Sequence, residues 1–227
     1  MKETEFLKHV RRRLAGIPER RPHPGLGNRP VRTLPEDLVM EFRERLEAVG
    51  GHVYPVRDAA SARVQLRDIV QALRQQGRSL DHAVITGHSL LADLELDVLL
   101  HRVGLEVTAS TRQETAVELM AQANLGLTGA EYVVAASGTL VMAASPRNPR
   151  AASLLPPVHV AVIRPDQFLP DLAALAVRLR QDYPERPPSG FVLVTGPSRT
   201  ADIEQTLSIG VHGPGELHVL LLLAPDT

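Results

Sequence analysis

Short apolar runs alternate along this chain with longer segments in which apolar residues recur every three or four positions. The runs lack polar alternation, so they predict strands covered on both faces, at 53–56, 83–86, 105–108, 158–163, 191–194 and 217–223. The longer segments predict helices at 35–49, 58–76, 90–103, 111–123 and 170–180. Residues 126–145 read as short strands and tight turns. The alternation predicts an α/β fold, in which a mostly parallel sheet carries helices on both faces.

The first residues follow a different pattern. Residues 3–15 have helical spacing, and residues 17–35 include five prolines. We interpret residues 1–35 as an N-terminal helix and Pro-rich arm that contacts another surface, and residues 36–227 as one α/β domain. A chain of 227 residues is long enough for one such domain and short for two.

The C-terminal stretch 191–223 holds the most distinctive polar residues. Its pattern predicts a strand, a loop, a helical turn, a second turn and a strand. Gly196 would let a ligand approach the backbone, and Ser198 or Thr200 would cap the helical turn. Arg199 offers a planar fork for a carboxylate or phosphate beside the free amides of that turn. A capped connection without any ligand remains an equal alternative.

Three further side chains of this stretch are candidates. On a helix Asp202 and Glu204 point in different directions, so one would favour the helix N-terminus and the other would face solvent or a partner subunit. His212 is interpreted as a turn residue in preference to a proton carrier.

Gly87 follows the predicted strand 83–86 and marks another strand end with ligand-like chemistry. Ser89 would cap the next helix, and His88 is interpreted as an exposed polar residue. His159, at the start of an apolar strand, is interpreted as a core or edge histidine in preference to a metal ligand, because no second ligand has a metal-like spacing to it.

Composition narrows the function classes. Aromatic residues make up 3% of the chain and the net charge is -1, which disfavours nucleic-acid binding. The chain has no cysteine, so disulfides, thiol nucleophiles and cysteine-held iron–sulfur clusters are excluded. No apolar run approaches the roughly 20 residues of a membrane span, and the charged first residues lack a signal-peptide core, so we expect a cytoplasmic protein.

Five segments together resemble one known family. The sequence GPSRTADIEQT from Gly196, GVHGP from Gly210 and LHVLLL from Leu217 closely resembles the lactate-utilization protein C family, also called the LUD domain. GLTGAEYVVAASGTLV from Gly126 and SLLPPVHVAV from Ser153 are similar to that family's central segments, in the same order. The resemblance covers roughly the second half of the chain.

The resemblance implies a fold related to ribose-phosphate isomerase, glucosamine-phosphate deaminase and CoA-transferases, with sites at strand ends. It also implies a subunit or accessory protein of bacterial L-lactate oxidation to pyruvate, working with separate iron–sulfur proteins and without a cofactor in this chain. The residues expected to converge on an anionic ligand are Gly87, Ser137, Gly138, Thr139, Gly196, Ser198, Arg199, Thr200, Asp202, Glu204 and His212.

One position departs from the family pattern. The family carries Glu-Thr-Gly-Thr where this chain has Ala136 followed by Ser, Gly and Thr. Three alternatives remain open: the carboxylate's role is lost, Glu131 or another carboxylate supplies it, or the activity differs. The rival functions are a free-standing enzyme acting on a phosphorylated or CoA-linked metabolite and a non-catalytic assembly protein.

Overall fold

Six strands form a fully parallel sheet in the computed structural model, in the order β1-β12-β7-β4-β2-β3. The strands of the chain are His52–Val56 (β1), His82–Ile85 (β2), Glu106–Ala109 (β3), Leu125–Gly129 (β4), Tyr132–Val134 (β5), Thr139–Ala143 (β6), Val158–Ile163 (β7), Phe168–Leu169 (β8), Phe191–Val194 (β9), Arg199–Ala201 (β10), Leu207–Ile209 (β11) and Glu216–Leu222 (β12). The helices are Pro35–Ala48 (α1), Ala59–Gln75 (α2), Ser89–Ala92 (α3), Leu96–Arg102 (α4), Thr115–Gln122 (α5), Ala151–Leu154 (α6) and Leu172–Asp182 (α7). The sheet confirms the predicted fold class.

The structure describes residues 8, 35–110, 115–201, 207–209 and 213–223. The predicted arm 1–35, apart from Lys8 and Pro35, lies outside these residues, as do Asp202, Glu204 and His212. Within the described part, no helix is both long and apolar enough to cross a lipid bilayer.

Alternate residues of the parallel strands supply two separate layers of core. Leu220 of β12 packs in the layer that includes Leu66 of α2, whereas the adjacent Val219 packs in the layer that includes Phe42 and Leu46 of α1. Successive side chains of a strand point to opposite faces, so both faces of the sheet are covered by helices, as predicted.

A second, mixed sheet of four strands, in the order β8-β5-β6-β9, adds to the layer that contains α1. The apolar run 191–194 forms its edge strand β9, antiparallel to β6, and not a strand of the parallel sheet. Leu193 is 50% exposed as a result. The run was therefore wrongly predicted to be covered on both faces: an apolar sequence does not show which sheet a strand joins.

The helical turn predicted after Pro197 is absent from the described residues of this stretch. Residues 199–201 form β10, which pairs antiparallel with β11, so that Arg199 lies opposite Ile209. A three-residue strand has too short a pattern to be told from a helical turn, and its pairing partner decides the outcome.

The helix predicted over 90–103 is two helices, α3 and α4, separated at Glu95, which has a left-handed backbone with φ 49°. Leu94 and Leu96 are both buried. Residues two apart cannot share one face of a helix, so the backbone breaks between them and both side chains reach the core.

Candidate functional site

A cleft lies where β2 and β3 end, at the carboxyl edge of the parallel sheet. Its volume is about 930 Å³, within the range of pockets that enclose small ligands. Its polar lining includes Gly87, His88, Asp93, Asp97, Ser110 and Arg147. Crevices beyond the carboxyl ends of parallel strands are the usual ligand sites of open α/β sheets.

His88 is the N-cap residue of α3, a role that the sequence assigned to Ser89. Its Nδ1 accepts a hydrogen bond from the Leu90 N–H at 3.3 Å, so the neutral ring carries its proton on Nε2. Its side chain is 14% exposed, which corrects the prediction of an exposed residue. Burial, with a smaller contribution from the charge of Arg164, lowers the pKa of His88 below its usual 6.5.

Glu131, in the turn between β4 and β5, faces this ring. Its Oε1 lies 4.0 Å from His88 Nε2. Its other oxygen accepts the Ala143 N–H at 2.6 Å, and Asn148 Nδ2 lies 3.4 Å from Oε1. Burial raises the pKa of Glu131, and these hydrogen bonds offset part of the increase. The two groups are therefore both shifted towards their neutral forms, an arrangement frequent at acid–base sites.

Arg147 supplies the positive charge of the cleft. Its backbone is fixed, because its carbonyl accepts hydrogen bonds from Gly87 N–H at 2.7 Å and from Ser110 Oγ at 2.9 Å. Its side chain extends over Gly87, where a β-carbon would lie 3.1 Å from Arg147 Nε. The structure places its fork at the cleft, where a carboxylate or phosphate fits.

Chemically, the lining of the cleft supplies an anion-binding fork and an imidazole, and the carboxylate of Glu131, which does not itself line the cleft, lies 4.0 Å from that imidazole's Nε2. Such a set can hold a small acid, remove a proton from it and donate a hydrogen bond to the developing oxyanion.

Most of the other predicted residues gather at the opposite, amino edge, around the turn that joins α1 to β1. A β-carbon on Gly138 would lie 2.7 Å from the backbone N of Leu46, and one on Gly196 would lie 2.7 Å from Val49 Cγ2. A β-carbon on Gly50 would lie 2.6 Å from Arg199 Nη2. All three glycines have positive φ (63°, 124° and 90°), which favours glycine at each position, and at Gly138 and Gly196 the close approach adds to that preference.

Hydroxyl groups connect the same region. Ser137 Oγ and Thr139 Oγ1 are 2.7 Å apart, and Thr139 Oγ1 lies 2.9 Å from Thr195 Oγ1. The Ser198 N–H donates to the Pro214 carbonyl at 2.8 Å, just before β12 begins.

The predicted residues therefore do not converge on one site. Gly87 lies at the carboxyl edge, whereas residues 137–139 and 196–199 lie beside the turn that precedes β1 and the residues that precede β12. For residues 196–199 the reason is that β9 joins the second, mixed sheet and not the parallel sheet. Thr200 belongs to strand β10. Its role in ligand binding stays a prediction, as do the roles of the other residues.

Glu131 does not occupy the place of the carboxylate absent at Ala136. The two positions flank opposite ends of β5, a strand that spans roughly 10 Å. Ala136 is exposed, and its N–H donates to the Pro170 carbonyl. Glu131 therefore lies beside His88 and not beside Ala136, and whether it supplies the missing carboxylate's role stays one of the three alternatives.

His159 is fully buried in β7, as its apolar surroundings predicted, and its Nε2 lies 2.8 Å from Thr128 Oγ1. Burial lowers its pKa to about 4. Among the residues that the structure describes, no group of three or more His, Asp or Glu side chains is arranged to hold a metal ion.

Comparisons with known proteins agree with the sequence pattern. The family model described as the LUD domain matches residues 39–222. Lactate utilization protein C of Halalkalibacterium halodurans is 38% identical over 121 residues, which cover 52% of this chain and 53% of that protein. Lactate utilization protein C of Bacillus subtilis is 37% identical over 103 residues, covering 44% and 43%. The matches thus span about half the length of these curated relatives.

A solved structure supports the fold. The crystal structure of a DUF162 family protein from Deinococcus radiodurans aligns with a TM-score of 0.52 over 84% of this chain and 99% of that one. The two sequences are 20% identical, so this likeness concerns the fold alone.

Proposed function

We propose, from the premise that the chain belongs to the LUD domain family, that it acts in lactate utilization by binding a small carboxylate in the carboxyl-edge cleft. The names of the relatives support the process, and the cleft supports the ligand class. The observation that carries the proposal is the His88–Glu131 pair, 4.0 Å apart, with both pKa values shifted by burial beside an arginine fork.

In this proposal each residue has a separate role. Arg147 binds the carboxylate of the 2-hydroxy acid through its planar fork. Glu131 accepts the hydroxyl proton, for which its raised pKa makes it a better base near neutral pH. His88 donates from Nε2 to the oxygen that becomes the keto group.

Oxidation of L-lactate to pyruvate also removes a second proton and two electrons, which need an acceptor. The chain has no cysteine with which to hold an iron–sulfur cluster. We therefore propose that the C2 hydrogen leaves with its electron pair, as a hydride, to an acceptor carried by separate iron–sulfur proteins, and that this chain is a subunit or accessory protein that binds the acid and takes the hydroxyl proton at Glu131.

The size of the cleft favours a second candidate. A volume of about 930 Å³ is large for lactate, which has six heavy atoms, and it would fit a phosphorylated or CoA-linked metabolite. In that case Arg147 would bind a phosphate, and the protein would be a free-standing enzyme.

A thermal-shift titration of the full chain tests both candidates, with L-lactate, pyruvate, ribose 5-phosphate and acetyl-CoA as probes. A ligand at 100 times its Kd stabilises by about 2.7 kcal/mol, which is several degrees of Tm for a chain of this size. We expect L-lactate or pyruvate to raise Tm, and Arg147→Ala to abolish the rise. The matched control is Arg150→Ala, an exposed arginine outside the lining of the cleft.

The variants then separate binding from chemistry. Glu131→Gln should retain the shift but lose lactate oxidation when iron–sulfur partner proteins are added. A shift with ribose 5-phosphate or acetyl-CoA alone, removed by Arg147→Ala, would favour the second candidate. Absence of a shift with every probe would refute both.

A further inference from the structure

We propose that the open edge of the parallel sheet carries a second binding site, which takes a planar heteroaromatic ring bearing a phosphate or carboxylate. The site lies along β1, the last strand of the sheet, with which no other described strand pairs on its outer side. The site lies at the amino edge of the sheet, where the parallel strands begin, and it does not depend on the cleft at the carboxyl edge.

A stack of rings ends at this open edge. His52 of β1 is the register partner of His218 of β12, and their rings are nearly parallel, with centroids 5.1 Å apart. One face of the His52 ring meets His218, so the other face points outward beyond the edge of the sheet. His52 is exposed. A further planar ring can therefore continue the stack on that outer face.

The inner ring of the stack is held firmly. His218 is 6% exposed, and its Nδ1 lies 3.2 Å from the Tyr54 hydroxyl. Its Nε2 lies 3.5 Å from Glu216, whose carboxylate also pairs with Arg78. Because His218 is buried and its Nδ1 is paired with the Tyr54 hydroxyl, the stacking surface is formed before any ligand arrives, which lowers the entropy cost of binding.

A cavity of about 530 Å³ adjoins the stack. It runs beside residues 50–55, with Arg43 and Glu47 of α1 on one side and Gln65 of α2 on the other. The ion pair between Arg43 and Glu47, at 2.9 Å, leaves this wall neutral overall. The cavity therefore provides polar walls and an aromatic end of suitable size for one ring system with a substituent.

The charge at the rim comes from Arg199. Its guanidinium group rests against Gly50, which has φ 90° and also lines the cavity. No carboxylate among the described residues forms an ion pair with Arg199, and its side chain is exposed. A guanidinium fork in this position selects an anionic substituent on the stacked ring. The His52 ring therefore selects a planar ring and Arg199 selects its anionic substituent, and together they define the ligand class.

Calorimetric titration of the full chain tests the proposal, with adenosine monophosphate and nicotinate as probes that carry a phosphate and a carboxylate respectively. Two controls accompany them: adenosine has the ring but no phosphate, and ribose 5-phosphate has the phosphate but no ring. We expect at least one anionic ring to bind, and the ring or phosphate alone to bind about tenfold more weakly or worse. Loss of a base stack costs on the order of tenfold in affinity.

Matched variants locate the binding. His52→Ala should weaken it about tenfold, His52→Phe should restore it by keeping a planar face, and Arg199→Ala should remove the preference for the anionic ring. His88→Ala, at the other edge, should leave it unchanged.

Three outcomes would overturn the proposal. The first is no binding of either anionic ring at millimolar concentration, and the second is binding that survives His52→Ala. The third is a change of oligomeric state with His52→Ala and no change in affinity, because this edge would then be covered by a second copy of the chain. Failure of the carboxylate cleft would not affect these results, because the two sites share no residue.

Discussion

The two edges of the parallel sheet differ in how their polar groups are held. At the carboxyl edge His88 and Glu131 are largely buried, and burial shifts the pKa of each towards its neutral form. At the amino edge Arg199 and His52 are exposed. The hydroxyl groups of Ser137, Thr139 and Thr195 form hydrogen bonds with one another there. Desolvated groups suit proton transfer, whereas exposed forks and rings suit binding. From this difference in burial we expect the two edges to serve different tasks.

The glycines of the two edges also differ in what surrounds them. Substitution of Gly138, at the amino edge, gives the largest predicted loss of stability. A β-carbon on Gly138 would meet the backbone of α1, 2.7 Å from Leu46 N, and this glycine has φ 63°. We expect Gly138→Ala to cost about 1–2 kcal/mol from backbone strain, and about 1–3 kcal/mol more from overlap that no side chain can relieve. Urea unfolding measures the loss.

Gly77→Ala is the control for that substitution. Gly77 has φ 83° but no atom within 4 Å of its β-carbon position, so only the strain applies. If Gly138→Ala destabilised no more than Gly77→Ala, the close approach between β6 and α1 would be wrong.

At the carboxyl edge the corresponding clash is with a side chain. A β-carbon on Gly129 would lie 2.3 Å from His88 Nδ1. We expect Gly129→Ala to cost about 1–3 kcal/mol, and much of this cost to vanish when His88→Ala is present as well, because the overlapping ring is then gone. A double-mutant cycle of unfolding free energies measures this coupling. Additive costs would mean that the ring does not lie over Gly129.

The smallest effect concerns pH. The pKa of His88 is lowered in the fold, so its stabilising contribution is complete above its usual 6.5 and is lost as pH falls through the folded value. The wild type should therefore lose stability relative to His88→Ala between pH 8 and pH 5. For Glu131, whose pKa is raised, the sign reverses, and stability is lost as pH rises above its usual 4.5 through the folded value. Chemical denaturation at a series of pH values, with His88→Ala and Glu131→Gln, separates the two slopes.

Apolar runs predicted the strands of the sheet well. The run 158–163 is β7 with the same bounds, and 53–56 and 83–86 are within one residue of β1 and β2. β7 is buried along its whole length, β1 is buried at its two valines and β2 at its two central residues, so their apolar character marks them. The family resemblance rested on five motifs in a fixed order. The match of the LUD domain model to residues 39–222 confirms the family.

The location of the site could not be predicted in the same way. The run 191–194 is a strand with the predicted bounds, but its sheet and direction depend on its pairing with β6. That pairing places Gly196 and Arg199 at the amino edge, away from Gly87. His88 was passed over because a lone histidine after a strand gives no local signal of a distant partner. Glu131 is 43 residues away from it in sequence, and only the fold brings them within 4.0 Å.

The position of β12 has a consequence for how the chain reaches its fold. This strand follows every other described strand in sequence, yet it lies between β1 and β7, with five and six register pairs to them. During synthesis β1 therefore waits for more than 150 residues before its partner emerges, and the hydrogen-bonding edges of both flanking strands stay open meanwhile. The six-stranded sheet can close only after β12 has left the ribosome, so we expect its completion to be late and to rest on contacts between residues far apart in sequence.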